Sequence, residues 1–126
     1  MNLKANNITT FISAGNDLQK AVNFYTDIGF TVDYTDDEIA IMVIDESKFI
    51  LQKYPAEWMH GNFMIILEVN DADAWYEKLK KLNLNQKYPG ANVREPQNFS
   101  WGKRICHLTD LNGVLWHIAS EIKKSL

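Results

Sequence analysis

The chain is poor in the residues from which several kinds of functional site are built. It holds a single cysteine, Cys106, in 126 residues, which excludes an internal disulfide and a zinc centre made of cysteines. Its six glycines are scattered, so there is no glycine-rich phosphate loop. A Gly-x-Ser-x-Gly motif, which would hold a nucleophilic serine, is also missing. These absences exclude disulfide scaffolds, P-loop hydrolases and hydrolases of the serine-elbow type.

Excess positive charge and long apolar runs are missing as well. The formal net charge is −3, which provides no basic surface for nucleic acid. No apolar run approaches the ~20 residues that span a bilayer. The first residues, MNLKANNITTF, lack the apolar core and cleavage pattern of a signal peptide. We therefore expect a cytoplasmic protein that binds neither nucleic acid nor membranes.

The chain contains two copies of one unit. Residues 10–30 align without gaps on residues 64–84, at a shift of 54, so that two Asn-Asp pairs coincide. After each pair the apolar residues follow the i, i+3, i+4, i+7 spacing of one buried helix face. The aspartates are placed to cap the first amides of each helix. These two helix faces comprise Leu18, Ala21, Val22, Tyr25 and Ile28, and then Ala72, Trp75, Tyr76, Leu79 and Leu82.

Strand-like segments surround both helices. In the first half ITTFIS precedes the helix, and FTVDY, IAIMVID and KFILQKY follow it. In the second half FMIILEV precedes the helix, and NQKY, RICHLTD and VLWHIAS follow it, with a long loop from Pro89 to Gly102. The sequence thus predicts an α+β fold of two βαβββ modules, at 8–54 and 63–120, within a single domain covering 1–126.

The repeat also pairs individual positions of the two halves. The shift of 54 equates Thr10 with Met64, and a second shift of 65 equates Gln52 with His117. Side chains alternate along a strand, so Trp116 and His117 point to opposite faces. The bulky face with Trp116 suits packing under the helix. His117 is therefore predicted on the face that the helix leaves uncovered.

Three motifs carry a resemblance to a known family. They are FYTDIGF after the first helix, VNDADAWYEKL at the second, and WGKRICHLTDLNGVLWHI near the end, where Leu111 replaces a usual proline. In this order the chain resembles the vicinal oxygen chelate superfamily of glyoxalases, bleomycin-resistance proteins and extradiol dioxygenases. The resemblance covers nearly the whole chain. It implies mixed sheets that curl into a cup-shaped cavity, the glyoxalase/bleomycin-resistance-like fold, and a homodimer.

The resemblance also implies where a metal would be held. The metal enzymes of this superfamily take four ligands from the first and last strands of both modules, and the matching positions here are Thr10, Gln52, Met64 and His117. A threonine hydroxyl and a methionine thioether are poor ligands for such ions. Only Gln52 and His117 are suitable, fewer than the three protein ligands usual in catalytic sites. We therefore expect no metal and no other cofactor.

The favoured function is metal-independent binding of a small molecule, such as a drug or antibiotic, as in bleomycin-resistance-type proteins. An apolar, aromatic pocket with few polar groups suits an amphipathic ligand. Arg104 is included because a guanidinium suits a carboxylate or phosphate, although an exposed arginine is usually only a solvated charge. The predicted ligand-binding residues are Gln52, Tyr54, Met64, Trp101, Arg104, Leu115 and His117.

Two other functions stay open at this stage. One is a divalent-metal-dependent lyase, isomerase or dioxygenase resembling glyoxalase, with the ion on Gln52 and His117. The other is a non-catalytic module whose apolar surface serves only dimerisation. His117 itself is either a functional group facing the cavity or a half-buried structural histidine, and Trp101 either stacks on a ligand or pins its loop. The sequence does not decide whether the protein is an enzyme.

Overall fold

The computed structural model describes residues 2–123, and the chain divides into two compact units. One unit comprises the residues up to Tyr54 and the other the residues from Pro55 onward. Within the described residues, no helix has the length and apolarity needed to cross a membrane. The assignment of both halves to a single domain stays a prediction.

The first unit is a four-stranded mixed sheet with one helix. Strand β1 runs parallel to β4, and the other neighbours are antiparallel, in the order β1-β4-β3-β2. This is the predicted βαβββ module. Its elements are β1 (Phe11–Ser13), α1 (Leu18–Ile28), β2 (Thr31–Thr35), β3 (Ile39–Ile44) and β4 (Ser47–Gln52).

Helix α1 begins at a residue that caps its N-terminus and ends at a glycine that stops it. The Asp17 side chain accepts a hydrogen bond from the amide of Lys20 at 3.0 Å, as an N-cap should. Gly29 ends the helix at φ 122°, a conformation that favours glycine. All five apolar positions predicted for its inner face are buried. Beneath them, Tyr25, Phe30 and Phe49 pack edge to face with ring centres 4.9–5.7 Å apart, and form an aromatic core.

The second unit has the same plan, except that a short helix and two strands of two residues each follow its first helix. Its sheet order is β5-β9-β8-β6, with β7 also paired to β8, and β5 runs parallel to β9. A 3₁₀ turn, Glu57–Met59, precedes β5. The remaining elements are β5 (Met64–Glu68), α2 (Ala72–Lys80), α3 (Leu84–Lys87), β6 (Asn92–Val93), β7 (Gln97–Asn98), β8 (Lys103–Thr109) and β9 (Leu115–Glu121). Two mixed sheets and three helices confirm the α+β class.

One predicted strand is wrong. Residues 85–88, NQKY, were expected to be extended, but Leu84–Lys87 forms the short helix α3. Leu84 and Tyr88 are both buried, and their spacing of four residues places them on one side of a helical turn. Asn83 precedes them in the left-handed region at φ 53°, which asparagine tolerates. The two-residue strand β6 pairs with β8 in place of the predicted strand.

The pairing of Thr10 with Met64 across the repeat is also wrong, by one residue. In the first sheet Phe11 lies opposite Ile50, and in the second Met64 lies opposite Leu115. The shift of 65 equates Ile50 with Leu115, so the counterpart of Met64 is Phe11. Because side chains alternate along a strand, this error moves the assigned residue to the other face of the sheet.

Backbone hydrogen bonds show the same displacement. The carbonyls of Thr10 and Phe63 accept equivalent bonds from the last strands of their modules, at 3.0 and 3.2 Å. The helix caps Asp17 and Asp71 still match at the original shift of 54. The second module therefore has one more residue between its first strand and its helix cap. An ungapped repeat aligns the helices correctly and the first strands incorrectly.

Candidate functional site

The second sheet has one face packed against α2 and one face turned away from it. Trp116 and Ile118 are buried, and Arg104 pairs with Asp73 of α2, so these side chains mark the helix side. The alternate residues form what we call the helix-free face. It comprises Met64, Ile66 and Glu68 of β5, Lys103, Ile105, His107 and Thr109 of β8, and Leu115, His117, Ala119 and Glu121 of β9.

The middle of the helix-free face holds two histidines in contact. His107 and His117 are direct partners in the antiparallel pairing of β8 with β9. Their ring centres are 4.7 Å apart, and the ring planes make an angle of 71°. Both side chains are half-buried. The prediction that His117 points away from the helix is confirmed. His107 is the polar side chain directly opposite it on the same face.

His107 is held in its neutral form by its surroundings. Burial, the neighbouring His117 and the positive charge of Arg94 all lower the pKa of His107 below its ordinary value of 6.5. The edge of Phe99 packs against the same imidazole, with ring centres 5.7 Å apart. A neutral imidazole has one nitrogen that accepts a hydrogen bond or binds a metal.

The long loop before β8 delivers Phe99 to this face. A tight turn returns the chain on itself, with hydrogen bonds from the Phe99 amide to the Lys103 carbonyl at 2.8 Å and from the Gly102 amide to the Phe99 carbonyl at 3.1 Å. Gly102 has φ 92°, which L side chains rarely adopt. Trp101, at the tip of the turn, is exposed. The turn explains why Trp-Gly stands directly before β8.

Sequence reasoning missed two of these residues, Phe99 and His107. The signal for His107 was available in the DLNG turn. A hairpin closed around Asn112 places residues that are equally distant from it opposite one another, and His107 and His117 are each five positions away. Phe99 carried no such signal, because its position depends on the irregular loop.

Predicted site residues of the second unit fall on both sides of the sheet. Met64, Leu115 and His117 share the helix-free face. Arg104 lies on the helix side, where its guanidinium donates two hydrogen bonds to the Asp73 carboxylate at 2.9 and 3.0 Å. A third bond, 3.0 Å long, runs from Arg104 to Asn98. Arg104 is therefore separated from the histidines by the sheet, and its role in ligand binding stays a prediction.

A shallow cavity of about 240 Å³ lies beside this arginine. Asp71 and Asp73 line it together with Glu121 and Lys123. These groups are largely engaged with one another, since Lys123 lies 3.9 Å from Asp71 and Arg104 is bound to Asp73. The cavity is a surface network of ion pairs, and its geometry fits the role of fastening α2 to β8.

The predicted residues of the first unit lie at the end of β4. Gln52 is exposed and stands opposite Ser13 and Ile39 in the sheet. Tyr54 is exposed as well, and its carbonyl accepts a hydrogen bond from the Ser13 hydroxyl at 2.6 Å. The Tyr54 ring therefore remains accessible for contact with another molecule.

The thiol and the remaining histidine have structural roles. Burial raises the pKa of Cys106 to about 11, so its thiol is not reactive at neutral pH. Its sulfur donates to the Arg94 carbonyl at 3.3 Å. The His60 ring packs on Gly113, where a Cβ would overlap it, and the Gly61 amide donates to the Gly113 carbonyl at 3.2 Å.

The donor set does not fit the metal centre of the superfamily's enzymes. Among the described residues, no group of three or more histidine, cysteine, aspartate or glutamate side chains is placed to hold an ion. The position beside His117 on β5 is Ile66, which has no donor atom. The first-strand counterpart of Met64 is Phe11, which has none either. The first-strand side chains that face the last strands in this register, Phe11, Met64 and Ile66, thus offer no nitrogen or oxygen ligand.

Sequence comparison decides the family. The residue pattern of the Glyoxalase/Bleomycin resistance protein/Dioxygenase superfamily matches residues 7–118. The chain belongs to this superfamily. No curated protein sequence matches the chain at a significant level.

Solved structures of other superfamily members share the fold. A bleomycin-binding protein complexed with bleomycin is 18% identical, has a TM-score of 0.79, and matches over 94% of this chain and 100% of its own. A bleomycin resistance determinant encoded on transposon Tn5 gives 18% identity, a TM-score of 0.80 and the same coverage. Lactoylglutathione lyase from Agrobacterium tumefaciens is 15% identical, has a TM-score of 0.69, and matches over 93% of this chain and 95% of its own. At such identities the likeness establishes the fold of the superfamily.

Proposed function

We propose that the protein binds a small organic molecule on the helix-free face of its second sheet without the help of a metal ion. The observation that carries the proposal is the combination of exposed apolar side chains with two imidazole rings in contact. Met64 and Ile66 are 63% and 46% exposed, and Leu115 beside them is half-buried. Apolar side chains grouped in this way on a sheet commonly mark a binding surface.

The chemistry of the face indicates the kind of ligand. Met64, Ile66 and Leu115 offer dispersion contacts, and the aromatic rings of Phe99 and Trp101 suit a planar group. His117 supplies a hydrogen bond to orient the ligand. We therefore expect a planar, amphipathic compound. The bleomycin-binding relatives favour a drug or antibiotic as the ligand. Sequestration by a cytoplasmic homodimer is the form of the function that we propose.

The alternative, a divalent-metal lyase, isomerase or dioxygenase, has support only from the shared fold. Lactoylglutathione lyase has a similar architecture. Threonine, glutamine and methionine at the superfamily's ligand positions do not form a suitable donor set for a divalent ion. The binding function therefore accounts for the residues of this chain better than the metal-dependent reaction does.

The test is a ligand titration performed in the presence and absence of a chelator. Metal-free bleomycin and a panel of planar amphipathic compounds are added to the untagged protein, and tryptophan fluorescence and calorimetry give the dissociation constant. We expect the same affinity with and without EDTA. Met64→Gln and His117→Ala should each weaken binding by about tenfold, since a lost apolar contact or hydrogen bond costs ~1–2 kcal/mol.

The matched control is Val32→Ala, which shortens an exposed apolar side chain on the first sheet. Its affinity should equal that of the unmodified chain. Binding that requires an added divalent ion would contradict metal independence. Equal affinity in all three variants would contradict the assignment to the helix-free face.

A further inference from the structure

The His107–His117 pair has a geometry that suits the binding of a metal ion. The two residues face one another across β8 and β9 on the same side of the sheet. Directly opposed residues in an antiparallel pair have Cβ atoms only ~4.5–5.5 Å apart, so their side chains meet without any change of backbone. The backbone on both sides is regular strand. The pair is thus held rigidly by the sheet.

The separation of the rings suits joint coordination of one ion. Imidazole nitrogens bind first-row transition metals at ~2.0–2.1 Å. For nitrogen–metal–nitrogen angles between a right angle and the tetrahedral value, the two ring centres then lie ~4.5–5.5 Å apart. The observed distance is 4.7 Å.

The surroundings of the pair select the kind of ion. Its neighbours on the helix-free face are mostly apolar, and the one hydroxyl among them is a poor ligand for such ions; they are Ile66, Ile105, Thr109, Leu115 and Ala119. Hard ions such as Mg²⁺ and Ca²⁺ require oxygen, whereas imidazole suits Cu²⁺, Ni²⁺ and Zn²⁺. The carboxylates of the face, Glu68 and Glu121, lie beyond this apolar ring.

The carboxylates of the helix-free face are paired with a lysine. Glu121 accepts a hydrogen bond from Lys103, and Glu68 lies 3.8 Å from the same ammonium group. The positive charge of Arg94 also acts on His107.

We propose that His107 and His117 form a two-histidine site for a late first-row transition-metal ion, with Cu²⁺ bound most tightly. The remaining coordination positions face solvent and are filled by water. This site shares only His117 with the four ligand positions of the superfamily, because β8 is neither the first nor the last strand of its module. The proposal does not depend on the proposed function. Metal-free binding of an organic molecule and binding of an ion are alternative uses of one face.

The experiment is a titration of the untagged protein with Cu²⁺, Ni²⁺ and Zn²⁺ in competition with a chelating dye. We expect one ion per chain, with affinity in the order Cu²⁺ > Ni²⁺ > Zn²⁺. His107→Gln and His117→Gln should each weaken Cu²⁺ binding about tenfold or more, because the ion loses the advantage of two linked ligands. His60→Gln is the matched control and should leave the affinity unchanged.

A second measurement on the unmodified chain removes dependence on the folding of the variants. In an NMR titration with Zn²⁺, the ring signals of His107 and His117 should shift together, at the same ratio of ion to protein, while those of His60 stay constant. Equal weakening by all three substitutions, or ring shifts confined to His60, would show an adventitious ion only and overturn the proposal. Neither titration contains an organic ligand, so its failure would leave the proposed function standing.

Discussion

The two halves of the chain share a topology and differ in what their sheets carry. In the first half the helix side of the sheet holds an aromatic core, with Tyr25, Phe30 and Phe49 in mutual edge-to-face contact. In the second half Phe99 is half-buried and lies at a histidine instead. The three rings of the first half thus stabilise its core, whereas Phe99 of the second half contributes to a surface.

The difference follows from the strand after each helix. In the first half this is the regular strand β2, Thr31–Thr35. In the second half the corresponding stretch forms a short helix and two strands of two residues each, β6 and β7. The irregular segment gives up ladder hydrogen bonds but brings Phe99 over the helix-free face. The candidate site is found where the repeat is least well preserved.

The largest expected effect tests the aromatic core. Phe49→Ala removes a fully buried ring and should lower the free energy of unfolding by about 3–5 kcal/mol. Phe99→Ala is the matched change in the other half, and should cost about 1 kcal/mol, because the ring is half-exposed. Urea denaturation measures both. If the two variants lost the same stability, the division between a stabilising and a surface role would be wrong.

A smaller effect is expected at the turn that precedes the last strand of the second half. Gly113→Ala places a Cβ against the His60 ring at φ 85°, and should cost about 2–3 kcal/mol through overlap and backbone strain together. Gly102→Ala has a similar φ of 92° but open space around it, so it should cost only about 1 kcal/mol. Thermal or urea unfolding distinguishes the two.

The double variant His60→Ala with Gly113→Ala separates overlap from strain. Removing the ring should restore the overlap part and leave a loss close to that of Gly102→Ala. If Gly113→Ala cost as much stability in the His60→Ala background as in the unmodified chain, the His60 ring would not limit this turn. In the first half the turn between β3 and β4 has no glycine and only Asp45, at φ 48°, in the left-handed region.

The smallest effect concerns the ion pair that ties α2 to β8. Asp73→Asn should cost below about 1 kcal/mol, since both partners are partly exposed. The Arg104 hydrogen bond lowers the pKa of Asp73 below its ordinary value of 3.8. A carboxylate with a lowered folded-state pKa stabilises the fold above pH 3.8, and that contribution is lost as the pH falls further.

The difference in unfolding free energy between Asp73→Asn and the unmodified chain should therefore be constant from neutral pH down to about pH 5 and shrink below pH 4. It should also diminish in high salt, which screens an exposed pair. A difference that grew on acidification would contradict the assigned pairing.

The sequence predicted the helices and most strands because those elements repeat locally. The buried face of α1 follows from apolar spacing and from a cap at Asp17, both of which act within a few residues. The helix α3 was not predicted because its one short turn is indicated only by Leu84 and Tyr88. Two apolar residues four positions apart are also found in segments that are not helical.

The site was predicted less well because it depends on contacts between distant residues. The orientation of His117 followed from alternation along one strand, and it was confirmed. The partnership with His107 required the register of β8 on β9, and the pairing of Arg104 with Asp73 required the position of the helix on the sheet. The register could be read from the turn around Asn112, whereas the contact of Arg104 with Asp73 leaves no pattern in either segment alone.

The additional residue between β5 and the cap of α2 has a consequence for protein engineering. A symmetric chain built by duplicating one half, or a hybrid that joins the first strand of one half to the helix of the other, must place its junction with this residue in mind. Suppose that the junction lies inside the first strand and is placed by the shift of 54, which aligns the helices. Ile65 and Leu67 would then turn outward, and Met64 and Ile66 would point toward the helix. The two halves share a topology, but segments cannot be exchanged between them at equivalent sequence positions without correcting for this residue.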